Sequence, residues 1–230
     1  MGHVVCTFLI ALLLVSTSLT KRSFVVDHKE NCFRKDGLKF QFISGSMHYY
    51  RIPRPYWKDR LLKLKGAGFN TVQTYIPWNQ HEPVKGRIDF SGRKDLFSYL
   101  KLCSDLGILV LLRPGPFIAA EFEFGGFPSW LPTQSKTISF RTSETVYLKN
   151  VLTWFSELLP MLAPYLYQQG GPVIGLQMDI LKPLQSAFDH IVECNAMDDL
   201  DFRSDMSQMI VNLNDKFNDF IATRLNILKF

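Results

Sequence analysis

At 230 residues, 47% apolar and 20% charged, the chain is long enough for one domain with a real core, and no repeat or low-complexity tract interrupts it. The net charge of +5 is unevenly placed: from Lys182 onward acids outnumber bases eight to five, which leaves +8 on the rest. Most of those bases interleave with apolar helix positions, and Arg34-Lys35 and Lys63 to Lys65 are too sparse for a nucleic-acid site, so no nucleic-acid partner is expected.

The first twenty residues contain no Lys, Arg, Asp or Glu. Val4 to Val15 is almost wholly apolar, and Ser16-Thr17-Ser18 follows with small residues for cleavage, so residues 1–20 are expected to be a signal peptide into the secretory pathway. No later segment is long enough to span a bilayer, so no membrane span is expected after its removal. Cys32, Cys103 and Cys194 would remain, an odd number that allows at most one internal bridge and matches no zinc spacing. No metal site is expected, and Cys103 lies in a helical apolar pattern that reads as plain core.

Leu38 to Tyr50 is strand-like and ends in polar and aromatic residues. Trp57, Leu61 and Leu64 share a helical face that predicts a helix from Tyr56 to Gly68. Asn70 to Trp78 reads as a strand ended by Pro77. Leu96, Leu100, Cys103 and Leu106 place a second helix over Asp95 to Gly107. The apolar run Ile108 to Leu112 predicts the next strand. Ser143 is placed to cap a third helix that carries Trp154, Leu158, Leu162 and Tyr165 and is bent by Pro160 and Pro164. Val173 to Met178 is a fourth apolar strand.

Between the last helix and strand of this series and the run before it lies RPGPFIAAEFEFGGFPSW, Arg113 to Trp130. Pro114 and Pro116 argue against ordinary ladder pairing and regular helix. If the backbone is extended, Glu121 and Glu123 point to one side beside Phe117, Phe122, Phe124 and Trp130. A sugar would satisfy such a pair, with hydroxyls on the carboxylates and C–H faces on the rings. A capped acid paired with arginine in a rigid turn fits the same residues, and this stretch alone does not choose between them.

Alternating strands and helices, with near-continuous apolar strands, imply a parallel sheet covered by helices. Polar and aromatic residues follow each strand: His48 and Tyr49, Tyr75 to Asn79, Glu121 to Glu123, Asp179. Sites in parallel barrels are built at those carboxyl ends. The fold class expected is α/β, a partial TIM (β/α)8 barrel of about the first four βα units with an α-helical C-terminal tail. A doubly wound open sheet is the competing fold, but no Gly-x-Gly-x-x-Gly follows the first strand.

ISGSMHYYRIPRPYWKDRLLKLKGAGFNTVQTYIPWNQHEP, LLRPGPFIAAEFEFGGFPSWL and YQQGGPVIGLQ together closely resemble the amino-terminal half of the β-galactosidases of glycoside hydrolase family thirty-five, over about Phe24 to Asp179. The resemblance implies a (β/α)8 barrel, secreted or lysosomal, that removes terminal β-linked galactose with retention and needs no cofactor. It also implies that Tyr75, Ala120 and Glu121 contact the sugar, since all three positions of the family pattern are intact. A β-galactoside is thus the expected partner, weak if bound.

The fourth strand end departs from that pattern. The family runs V-Q-x-E-N-E-Y-G, with an Asn that holds the sugar and a second Glu that is the acid/base. Here Ile180 falls on the Asn and Leu181 on the Glu, and nothing after Asp179 resembles the later strand that supplies the nucleophile. Retaining hydrolysis needs two carboxyl groups about 5–5.5 Å apart, and a leucine offers neither a proton nor a lone pair. General acid/base work contributes roughly 10²–10⁴-fold, and the covalent route also needs its nucleophile. Asp179 lies two residues from the required place with a shorter reach, and Glu121 would be engaged by sugar hydroxyls. No catalytic residue is therefore assigned.

The domains expected are a signal peptide (1–20), an incomplete glycosidase barrel (21–181) and a divergent, helical tail (182–230). In the tail, Met206, Ile210, Leu213, Phe217, Phe220 and Ile227 form a stripe interrupted by Arg224. It would pack on the open barrel or on a second copy, and open sheet edges offer a further route to self-association. Three readings follow: a galactosidase relative with a defective site, a non-catalytic galactoside binder using Tyr75, Glu121 and Trp78, or a shortened product without activity of its own.

Overall fold

The computed structural model describes residues 22–178. The expected signal peptide, the tail stripe, Asp179, Ile180 and Leu181 all lie outside the described residues. Within them the chain is mixed α/β. An antiparallel meander of β1 (Phe24–Asp27), β2 (Cys32–Lys35) and β3 (Leu38–Phe40) comes first. A four-stranded parallel sheet follows, ordered β4 (Ser44–Ser46), β5 (Thr71–Tyr75), β6 (Leu109–Gly115) and β7 (Val173–Met178). The helices between them are α1 (Trp57–Gly66), the single turn α2 (Trp78–His81), α3 (Leu96–Asp105) and α4 (Thr145–Leu162).

The helices form where the apolar spacing puts them. Trp57 and Leu61 of α1, and Leu96, Leu100 and Cys103 of α3, are buried in the main core with Val72, Val110 and Leu112 from the sheet. Asp95 caps α3 by accepting from the Ser98 amide at 2.9 Å. The cap of α4 differs from expectation. Glu144, not Ser143, accepts from the amides of Val146 at 2.9 Å and Tyr147 at 2.8 Å, because the longer carboxylate reaches two orphan N–H groups at once. Pro160 lies inside the last turn of α4, and a 3-10 turn over Ala163–Tyr165 continues from it.

Two strand predictions are corrected. Leu38 to Tyr50 is not one strand: β3 belongs to the meander and β4 to the parallel sheet. Asn70 marks the change of partner, its side chain bonding Gln41 O at 3.0 Å and the Ile43 amide at 2.9 Å. Pro114 does not end β6, which continues to Gly115. Register shifts around Leu112 and Gly115 absorb the missing donor, the usual place for proline in a sheet.

The sheet has two unlike faces. Val72 and Thr74, with Val110 and Leu112, are fully buried, the valines and leucine in the helix-packed core. The alternate residues, Gln73 and Tyr75 with Leu111 and Arg113, are only half-buried. At the amino end of this second face, Leu109 and Leu111 pack on a small core of Phe24, Tyr167 and Ile174, joined by Phe33 and Phe40 of the meander. Tyr167 locks the meander there: its hydroxyl donates to Asp36 at 2.6 Å, and the Arg22 guanidinium lies 3.9 Å from its ring centre. The meander thus covers one end of the half-buried face and leaves the carboxyl end open.

Candidate functional site

Parallel register sets the open end. Tyr75 pairs with Arg113, the last aligned pair of β5 and β6. Their side chains share the half-buried face, and the Arg113 guanidinium hydrogen-bonds the Tyr75 hydroxyl while lying 4.4 Å from the ring centre. His48, just beyond β4, packs on the Tyr75 ring at 5.2 Å and stacks on Tyr50 at 5.4 Å. Tyr50 in turn meets Phe122 at 5.4 Å. A continuous aromatic wall therefore runs from the end of β5 to the loop after β6.

That loop brings Ala120 and Glu121 to the same wall. Ala119, Ala120 and Glu121 have φ of 55°, 48° and 52°, three successive left-handed residues. The Phe122 amide closes a turn on Ala119 O at 2.9 Å, and the Ile118 amide bonds Gly125 O at 2.9 Å. Gly125 is required here, because a Cβ would lie 1.8 Å from the Phe117 ring. The extended geometry that would align Glu121 with Glu123 is absent: Glu121 sits in the turn, and Glu123 opens a short 3-10 segment, Glu123–Gly126. Of the two forms weighed for this stretch, the described geometry is the arginine-paired acid in a turn.

Arg51 holds the turn in place. Its guanidinium donates to Ala120 O and lies 3.6 Å from the Glu121 carboxylate, whose side chain is 88% exposed. Burial pushes the His48 pKa down, with Arg51 and Arg113 adding to the shift and Glu121 opposing it. His48 is therefore neutral at neutral pH and offers both a donor and an acceptor nitrogen. The assembled edge holds one exposed carboxylate, one guanidinium-held phenol, one neutral imidazole and aromatic faces. These groups can hold a polyhydroxylated ring; among the described residues they do not include a pair of carboxyl groups at glycosidase spacing.

Trp78 is not part of this edge. It is fully buried, its indole donates to Glu82 Oε2 at 2.6 Å, and its ring stacks on Trp154 at 5.8 Å. The reading of Trp78 as a sugar platform is corrected on that ground. Trp78, His81 and Glu82 of the W-N-Q-H-E-P segment instead form a buried polar brace. Glu82 also accepts from the Gly86 amide at 2.7 Å, and Trp130 donates to Glu82 O at 2.8 Å. His81 Nδ1 donates to Asp89 O at 2.9 Å, so Nε2 accepts from the Tyr49 hydroxyl at 2.5 Å. Burial brings the His81 pKa down to about 4.

Asp27, Glu30 and Cys32 come within 4.8 Å of one another, a spacing that admits a metal. Arg34 and Lys39 already neutralise the two carboxylates, at 2.7 to 3.0 Å and 2.6 Å. Cys32 and Cys103 are free, and burial pushes the Cys103 thiol pKa up, which suits core packing rather than chemistry. No helix among the described residues is long and apolar enough to cross a membrane.

The family described as Glycosyl hydrolases family 35 matches residues 32–181. The chain belongs to that family. It is 48% identical over 183 residues to a β-galactosidase of Canis lupus familiaris, covering 74% of this chain and 27% of the relative. It is 49% identical over 183 residues to a β-galactosidase of Homo sapiens, with the same coverage of each. A mouse protein named beta-galactosidase-1-like protein is 47% identical over 171 residues, covering 74% of this chain and 26% of that one. The chain thus spans about a quarter of the length of these family 35 relatives.

Proposed function

We propose that this family 35 chain forms the first half of a (β/α)8 barrel and binds a terminal β-galactoside at its carboxyl edge without hydrolysing it efficiently. The observation that carries the binding is the shared, half-buried face that brings Tyr75 and Arg113 beside the loop of Ala120 and Glu121. Glu121 accepts hydrogen bonds from sugar hydroxyls. The Tyr75 hydroxyl, with Arg113 occupying its oxygen, donates outward. Ala120 supplies backbone polar groups from a turn that Arg51 holds, and the ring faces of His48, Tyr50 and Phe122 cover the C–H side of the sugar.

The catalytic half of the proposal rests on sequence. Leu181 stands where the family pattern has its acid/base Glu, and residues 182–230 contain no stretch resembling the strand that provides the nucleophile. Without a proton donor the leaving oxygen departs as an alkoxide, and without the nucleophile the covalent intermediate does not form. The first twenty residues would route the chain into the secretory pathway.

The test uses the full chain. Methyl β-galactoside should raise its melting temperature at millimolar concentration, because a ligand that binds only the folded state stabilises it. Tyr75→Phe and Glu121→Gln should each weaken that shift, and a chromogenic β-galactoside should show no turnover above buffer. Turnover that persists through purification and is abolished by Glu121→Gln would overturn the catalytic half. Absence of any galactoside-dependent shift would overturn the binding half.

A further inference from the structure

A groove of about 510 Å³ runs along α4, and every residue that lines it belongs to that helix: Thr145, Leu148, Lys149, Leu152, Thr153 and Ser156. Leu148 and Leu152 pack on the main core along one side and stay only half-buried. With the buried Phe155 and Leu159 they form a stripe that alternates four and three residues, the spacing that seats one helix on another. The hydroxyls beside them ask nothing of a guest. Thr153 donates to Lys149 O at 2.9 Å and Ser156 to Thr153 O at 2.8 Å. The groove therefore presents carbon surface and one cation, Lys149, with no carboxylate in its lining. An amphipathic helix answers such a lining, whereas a polar small molecule does not.

The groove lies at the level where the chain leaves the sheet. Tyr147 packs on Phe127 at 5.8 Å and Trp154 on Trp78 at 5.8 Å, and both partners come after the carboxyl ends of strands, β6 and β5. Met178 ends β7 at that same edge, so residues 179–230 set out from the level of the groove. Within them Met206, Ile210, Leu213, Phe217, Phe220 and Ile227 repeat the four-and-three spacing of α4, interrupted only at Arg224. Wound as a helix, residues 206–220 would run about 21 Å, against roughly 17 Å for the groove over 145–156, so Arg224 falls past its end. Asp215 and Asp219 lie off the stripe, so this fit buries no carboxylate. The excess of acids over bases from Lys182 onward suits a groove whose one charge is cationic. Being covalently tethered, the segment also meets the groove without the concentration limit that a second copy faces.

We propose that residues 206–227 of this chain dock in the groove of α4 and lay Phe217 and its stripe against Leu148 and Leu152. The docked segment covers the helix face that no other described element lines. Docking here is independent of galactoside binding.

Cross-linking of the full chain with a short amine-reactive reagent tests this, in an equal mixture of isotope-labelled and unlabelled protein. Lys216 borders Phe217, and Lys149 lines the groove. The two should join within one chain about tenfold more often than Lys216 joins Lys58 of α1 or Lys101 of α3, which are also exposed. Phe217→Asp should bring the Lys149 yield down to that of the other two, and Phe217→Leu should keep it. Lys149 links that are absent, or that survive Phe217→Asp unchanged, would overturn the docking. Links formed mainly between labelled and unlabelled chains would also overturn it and assign the groove to a second copy.

Discussion

His81 and Glu82 are charged or chargeable residues in the middle of an aromatic core, and each is held by hydrogen bonds with its neighbours. For His81 the folded pKa of about 4 lies below the ordinary value of 6.5. The folded state therefore binds fewer protons than the unfolded chain between those two values, and stability falls as pH drops through this window. The full loss is on the order of 3 kcal/mol. Urea midpoints should decline from pH 6.5 to 4, and His81→Gln should flatten that decline while lowering stability at neutral pH. Glu82→Ala would orphan the Trp78 indole and the Gly86 amide, both bound to it at 2.7 Å or less. A cost of about 3 kcal/mol is expected, with Glu82→Gln losing roughly half, read from chemical denaturation. Neither role was legible beforehand. Tyr49 and His81 are 32 residues apart, so no local spacing announces their bond. Trp78 illustrates the converse, since a tryptophan after a strand suits a sugar platform and a core brace equally until burial is known. The placement of Tyr75 and Glu121 beyond the carboxyl ends of neighbouring strands was legible because motif strings mark positions whose neighbours are fixed by the fold.

At the level of elements, apolar spacing made β5, β6, β7 and the three long helices readable, because each of them buries a face, whereas β4 is Ser-Gly-Ser with no buried residue and was not separable from the run around it. The meander was missed for the opposite reason. Its strands are three or four residues long, carry Arg34, Lys35 and Lys39, and are mostly half-exposed, so they show no periodic face. Capping was misassigned by one residue, since Ser143 and Glu144 both suit an N-terminus and only geometry decides between them. Glu144→Ala should cost about 1 kcal/mol in unfolding free energy, whereas Ser143→Ala should leave it within error. The lead into β7 has a sharper requirement. A Cβ on Gly171 would lie 2.0 Å from the Tyr165 carbonyl oxygen, backbone that has nowhere to move. Gly171→Ala should therefore cost 2 kcal/mol or more, roughly the range of overpacked sites, and it should release the early part of β7, seen as faster amide exchange at Val173 to Leu176.

For the molecule as a whole, the described sheet has two outer strands. β4 spans only Ser44–Ser46, while β7 presents VIGLQM, and apart from the bridge of Val173 with Leu166 its outer side has no strand partner among the described residues. Six residues without a charge or a proline form a pairing hazard. The full chain is expected to self-associate with concentration in analytical ultracentrifugation, and a lysine at Gln177 should reduce that tendency by placing charge on the edge. A monomer at all concentrations would show that something covers β7.

The turn of Ala119, Ala120 and Glu121 has a consequence for engineering. Left-handed backbone disfavours any residue with a side chain, by roughly 1 kcal/mol apiece relative to glycine. Ala119 is exposed and makes its hydrogen bond through its carbonyl, so nothing described here depends on its methyl group. Ala119→Gly should accordingly give a sturdier protein, a small rise in thermal midpoint at a position where glycine ordinarily weakens a chain. The same loop that holds Glu121 against Arg51 is thus a reserve of untapped robustness.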